Sequence, residues 1–176
     1  MKKTFWYKLT LVPVALILDQ LVKRWVEENI PLFEVQKLLP GIVQLTHVEN
    51  RGSAFGMLQN ARWFFVGITI VAFGFLVWVL ASKRIHGALG QWAVAFVISG
   101  ALGNFIDRVR QGYVVDMFEF EFVSFAIFNV ADIFITVGGV LACVYVLFFH
   151  ERLTTAHRIA SETAAQTAEA LPEEKT

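Results

Sequence analysis

The sequence predicts an all-α membrane protein: a four-transmembrane-helix bundle with a small extramembrane β element and loop on its outer face. Three observations predict it. Four apolar stretches, residues 5–26, 63–81, 89–106 and 130–149, each approach the roughly 20 residues that a helix needs to cross a bilayer. The composition agrees, with 56% hydrophobic, 14% aromatic and 17% charged residues, more apolar and less charged than a soluble domain of this size. The polar stretches between the spans carry turn and period-two signals instead of helical ones.

The elements follow in order. Lys2, Lys3 and Lys8 precede an apolar run over 9–18, which imitates a secretory leader. No small-x-small cleavage pattern follows, and Asp19-Gln20 stands in its place, so the segment reads as a retained first helix. In the segment 27–62, Pro40-Gly41 separates the stretches 32–39 and 42–48, and the second is rich in strand formers, which predicts a small sheet or hairpin. The second span is almost unbroken. The third ends in Gly100-Ala101-Leu102-Gly103-Asn104, small residues that let helices approach closely. In the segment 107–129, Phe118, Phe120 and Phe122 alternate with Glu119 and Glu121, a strand with one apolar and one wet face. Such a strand can rest on lipid or on substrate. After the fourth span, a polar, alanine-rich tail over 151–176 is expected to extend the helix for some turns and then fray. The chain thus reads as one membrane domain, 1–150, with a polar cytoplasmic tail. Four spans put both ends on one side. Lys2, Lys3, Lys8, Lys83 and Arg84 mark that side as cytoplasmic. The opposing count of Lys23, Arg24, Lys37, Arg51, Arg62, Arg108 and Arg110 nearly cancels the signal.

Several chemistries fall away. A formal net charge of +0 offers no basic surface for nucleic acid. Cys143 is the single cysteine and matches no disulfide, metal or redox spacing. His47, His86, His150 and His157 are scattered, with no HExxH pattern. Gly52-Ser53-Ala54-Phe55-Gly56 places its serine one position early for a nucleophile elbow, and there is no P-loop. No metal or cofactor is expected.

What remains is polar residues at membrane depth or at its edge, where charge is expensive and tends to mark function. Asp19 and Lys23 are four apart on one helical face. They are either an ion pair easing a charge near the boundary or a device orienting active-site neighbours. The loop from Asn50 to Gly56, with Gly52, Ala54 and Phe55, is either an ordinary turn or a contact to substrate backbone. Gly100 and Asn104 close the third span before Asp107 and Arg108, which can form a plain interfacial pair. Asp116 can be a solvated surface carboxylate. Asn129 can cap the fourth helix, with Asp132 in its first turn favoured by the helix dipole. Alternatively, two of the carboxylates meet. Two acids in contact cannot both ionise easily, so they share a proton, and one can then activate water while the other polarises a peptide carbonyl.

Taken together, these residues resemble bacterial lipoprotein signal peptidase, the signal peptidase II family. Asp19-Gln20-Leu21-Val22-Lys23 is similar to its D-x-x-x-K, Asn50-Arg51-Gly52-Ser53-Ala54-Phe55 to its N-x-G-x-A-F, and Gly103-Asn104-Phe105-Ile106-Asp107-Arg108 to its G-N-x-x-D-R. Val115-Asp116 and Phe128-Asn129-Val130-Ala131-Asp132 are similar to the V-D and F-N-x-A-D that carry the family's two catalytic aspartates. Any one motif is weak; five in order against four helices are specific. Ser99 departs from a frequent glycine, and Met117 from a usual phenylalanine. The resemblance implies that Asp116 and Asp132 are the catalytic pair. It implies that Asp19, Lys23, Asn50, Gly52, Ala54, Phe55, Gly100, Asn104, Asp107, Arg108, Phe128, Asn129 and Ala131 support it or bind substrate. It further implies cleavage of diacylglyceryl-modified prolipoproteins before the lipidated cysteine, at the outer face of the bacterial inner membrane, and sensitivity to globomycin-type inhibitors; a monomer suffices for that chemistry. Membrane lipid would then be a standing partner. Two other readings stay open on the residues alone: a small transporter with an aspartate-lined path, and a non-catalytic membrane assembly factor. Acids near span ends rather than the midplane count against the first.

Overall fold

The computed structural model describes residues 10–53, 55, 57–82, 85, 87–149, 151, 155–156, 158–160 and 162–163. Ala54, the orienting charges Lys2, Lys3, Lys8, Lys83 and Arg84, three of the four histidines (His86, His150 and His157), and most of the tail lie outside the described residues. Four long helices and three strands alternate as α1 (Leu11–Asn29), β1 (Val35–Leu39), β2 (Val43–Asn50), α2 (Arg62–Ala81), α3 (Ala88–Arg110), β3 (Val114–Phe120) and α4 (Val130–Val144). Helix α4 runs on through a π turn over Tyr145–Phe149.

Among the described residues, three helical stretches are long and apolar enough to cross a membrane: Arg62–Ala81, Ala88–Arg110 and Val130–Phe149. Helix α1 does not join them, because Asp19, Lys23, Arg24, Glu27 and Glu28 dilute its C-terminal half. That helix also ends at Asn29 rather than near residue 26, and α3 runs past residue 106 to Arg110. Helix α2 is sheathed in exposed apolar side chains, with only Val66 buried. Helix α3 is the axis of the bundle. It buries Ala93, Ala95, Ser99, Gly100 and Gly103 among others and packs against α1, α2 and, most extensively, α4. Glycine is required where α3 meets α4, because a Cβ at Gly100 would collide with the Ala131 carbonyl oxygen and lie 2.7 Å from Ile135 Cγ1. Small residues at helix contacts let backbones approach this closely. Ser99, the departure noted beside it, is buried and donates its hydroxyl to the Ala95 carbonyl at 2.7 Å.

The strands form one antiparallel sheet in the order β1-β2-β3. The expected hairpin is present, with Val35 opposite Thr46 and Leu39 opposite Val43. The third strand differs from expectation. It starts at Val114, before the Phe/Glu alternation, because pairing with β2 runs from Asn50 opposite Val114 to Val43 opposite Phe120. Its apolar face packs in part against the protein itself. Phe118 packs on the buried cluster of Val26, Ile30, Val115 and Met117 that joins α1 to the sheet, and Phe120 packs on Phe125 and Phe128. Phe122 lies beyond the strand and is exposed. Met117 is fully buried in that cluster, so the unusual residue beside Asp116 fills core space.

Candidate active site

Asp116 and Asp132 are brought together by a short piece of β structure outside the main sheet. Phe128 bridges to Phe118 in antiparallel fashion. The Phe118 N–H donates to the Phe128 carbonyl at 2.8 Å, and the Phe128 N–H returns a bond to Phe118 at 3.1 Å. This stitches the strand carrying Asp116 to the chain entering α4. The next residue, Asn129, is fully buried and caps α4. Its side chain accepts from the Asp132 N–H at 3.0 Å, and its own N–H donates to Asp132 Oδ2 at 3.1 Å, a reciprocal capping box. The same side chain donates through Nδ2 to Asp116 Oδ1 at 2.6 Å. One residue therefore caps α4 and bonds to both carboxylates.

The remaining oxygens are also held. Asn50 Nδ2 donates to Asp116 Oδ2 at 2.8 Å, while Asn50 Oδ1 accepts from the Gly52 N–H at 2.9 Å. Asn104 Nδ2 donates to Asp132 Oδ1 at 2.7 Å. The three asparagines thus spend their amide donors on the two acids. Asp116 is 3% exposed, not the solvated carboxylate that its type alone would give. Burial pushes its carboxyl up, the neighbouring Asp132 pushes it further, and the Asn50 and Asn129 donors only partly oppose this, leaving it at about 7. A pair so arranged can hold one proton at neutral pH.

Asp19, Lys23 and Asp107 gather behind the pair. Lys23 Nζ lies 2.9 Å from Asp19 Oδ2 and 2.6 Å from Asp107 Oδ2, and Asp19 Oδ1 accepts from the Ala131 N–H at 2.8 Å. Of the accounts left open for Asp107 and Arg108, the plain interfacial pair does not form, because adjacent residues of a helix do not face each other. Arg108 instead donates to the Gly52 carbonyl at 3.2 Å and lies 4.8 Å from the Phe65 ring centre. Gly52 needs to be glycine, since a Cβ there would strike the Met57 carbonyl. Phe55 is 69% exposed, adopts φ 58°, and meets Phe125 edge-on at 6.1 Å.

Both acids line a cavity of about 630 Å³, together with Asn50, Asn104, Arg108 and Asn129. Its walls are the aromatic rings of Phe55, Phe120, Phe125 and Phe128, and its inner end passes Thr69, Ala101, Ile133 and Thr136 between the helices. The sequence reading did not single out Phe125, Thr69 or Thr136. Thr136 carried a signal: it stands four residues after Asp132, on the same helical face. Thr69 is the lone hydroxyl in the third turn of an otherwise greasy helix. Its hydroxyl donates to the Phe65 carbonyl at 2.7 Å.

Comparison with known proteins gives a consistent picture. The family model described as Signal peptidase (SPase) II matches residues 11–148. Proteins named lipoprotein signal peptidase from Streptococcus pyogenes serotypes M6 and M5 are each 47% identical to the chain over 141 residues, spanning 80% of it and 91% of the relative. Among solved structures, a bacterial membrane enzyme determined by the in meso method at 2.3 Å superposes with a TM-score of 0.73 at 27% identity, over 97% of this chain and 94% of that one. A second, at 1.9 Å, gives 0.75 at 30% identity, over 81% and 94%.

Proposed function

The chain belongs to the signal peptidase II family, and from that premise we propose that it is an intramembrane aspartic endopeptidase that removes the signal peptide from diacylglyceryl-modified prolipoproteins, cutting before the lipidated cysteine. The observation that carries the proposal is Asn129, which donates from its side chain to Asp116 and from its backbone to Asp132 at the wall of a cavity running in between the helices. Asp116, buried and protonated near neutrality, donates its proton to the scissile carbonyl oxygen. Asp132 takes a proton from the attacking water. The tetrahedral intermediate then collapses, with a proton passing to the departing nitrogen.

The membrane arrangement belongs to the same proposal. Helix α1 serves as a fourth span. In support, its charged Asp19 and Lys23 turn inward, while Val14, Ile17, Leu18, Leu21 and Trp25 stay exposed along its outer side. On this reading four spans in one domain over 1–150 leave both termini on one side, taken as the cytoplasmic side of the inner membrane, with the acid pair at the outer rim, where a lipid-anchored substrate arrives. The aromatic walls suit acyl chains and the polar rim suits peptide. A monomer suffices for the chemistry, and globomycin-type inhibitors occupy the same cavity.

The test is reconstitution of the purified protein with a diacylglyceryl-modified precursor and its unmodified counterpart. Cleavage confined to the modified precursor, and abolished in Asp116→Asn and Asp132→Asn proteins that still fold, is the expected result. Equal cleavage of both precursors, or persistent cleavage by either variant, refutes it.

A further inference from the structure

Lys23 lies outside the cavity lining, yet it is bonded to a group that touches the acid pair. It is 3% exposed. Its ammonium, which has three donors and no acceptor, pairs with Asp19 Oδ2 at 2.9 Å and Asp107 Oδ2 at 2.6 Å and donates a hydrogen bond to Asn104 Oδ1 at 3.0 Å. The third bond decides an orientation. An amide can turn either end toward a neighbour, but only its oxygen can face an ammonium. Asn104 is thereby obliged to turn its Nδ2 toward Asp132 Oδ1, 2.7 Å away. The outward-facing Asn104 oxygen also accepts from Asn129 Nδ2 at 3.1 Å, the nitrogen that donates its other hydrogen to Asp116. The cation on α1 is therefore linked through Asn104 to Asp132 and, through Asn129, to Asp116. Arginine, with a planar fork, cannot address three converging acceptors in the same way.

We propose that Lys23 is a positioning residue for the Asp116–Asp132 pair, acting through Asn104 by forcing its amide to present N–H to Asp132. The proposal rests on the protease reading above. The charged groups around the pair are Asp19 and Lys23 from α1, Asp107 and Arg108 from α3, Asp116 from β3 and Asp132 from α4. Removing the ammonium deprives the pair of its fixed donor and of a nearby positive charge, both of which favour the ionised form.

The experiment compares the wild type, Lys23→Met, Lys23→Gln and Asn104→Asp with a diacylglyceryl-modified precursor across pH, with melting measured in parallel. Asn104→Asp keeps an oxygen for Lys23 and deletes the donor to Asp132, which measures that bond alone, and Lys23→Gln, whose amide can turn either end toward Asn104, tests the lysine where Lys23→Met fails to fold. The expected result is a fall in kcat of about 10²-fold or more, with KM changed by no more than about threefold, and an alkaline limb displaced to higher pH in whichever variant folds. A kcat that follows only the folded fraction, with the alkaline limb unmoved, overturns the proposal. Absence of cleavage by the wild type instead overturns the protease reading, so the two failures are distinct.

Discussion

The proton that the proposed mechanism assigns to Asp116 makes the sharpest prediction, with pH and Asp116→Asn as the perturbations. Asp116 rises from 3.8 to about 7 because it is buried and faces Asp132. That rise corresponds to about 4 kcal/mol against ionising it in place. The consequence for rate has one sign. The protonated form supplies the proton to the carbonyl oxygen, so cleavage is full below about pH 7 at this limb and falls about tenfold for each pH unit above it. The consequence for stability follows from linkage. An acid whose folded value exceeds its unfolded value destabilises the fold progressively as pH rises from about 4 to about 7, and the whole penalty is present above that. Asp116→Asn cannot ionise and escapes it. The variant carries its own pH-independent cost of about 1–3 kcal/mol, because the new amide must set an N–H against Asn50 Nδ2 or Asn129 Nδ2, both of which are donors. The melting temperature of the variant relative to the wild type should therefore climb between about pH 4 and about pH 7 and level off above. Cleavage by the variant should be down by about 10²–10⁴-fold at every pH. The assays are precursor processing and thermal unfolding in the same detergent or nanodisc preparation. A wild-type rate that stays level from about pH 7 to about pH 9, in protein still folded, would refute the assignment of the proton to this pair.

Other outcomes follow from individual contacts. Asp132→Asn should abolish processing by a similar factor and also lower stability by about 1 kcal/mol, since it weakens the capping box with Asn129. Gly100→Val should separate α3 from α4 by driving side-chain atoms into Ala131 and Ile135, lowering stability by at least about 1–3 kcal/mol. Gly74→Ala, where an added Cβ meets nothing within 4 Å, should leave the melting temperature unchanged or slightly raised. Arg108→Lys should lose the stack on Phe65 and weaken the bond to the Gly52 carbonyl. Because that bond pins the loop after β2, KM for the precursor should rise more than kcat falls.

Legibility in the sequence differed from residue to residue for physical reasons. Asn129 and Asp132 were readable as a helix start because capping is local: both partners lie within three residues. The Asp19–Lys23 pair was readable by the same token, since it spans one helical turn. The hairpin announced itself through Pro40-Gly41. Asp116 could not be told from a surface aspartate by its own neighbours, and only the set of ordered motifs picked it out. The Phe/Glu alternation showed a strand but not its bounds, which depend on pairing with residues some 70 positions earlier. Adjacency in sequence left a plain Asp107–Arg108 pair open as one alternative, which only the fold closed. Lys23, which takes Asp107 instead, lies 84 positions away in the chain.

Sequence by itself determined the properties that depend on composition and short range: apolar spans long enough for a bilayer, a turn between two strands, a capped fourth helix and a shortlist of acids at the span ends. The tertiary structure decided where those acids lie and which groups hold them. Three amides reach Asp116 and Asp132 from β2, α3 and the start of α4, a buried ammonium on α1 orients one of them, and a β bridge at Phe118 and Phe128 sets the two carboxyls side by side. A carboxyl's proton affinity depends on burial and on neighbours within a few ångströms. Those neighbours are assembled by packing between segments far apart in the chain, which no local pattern of residues encodes.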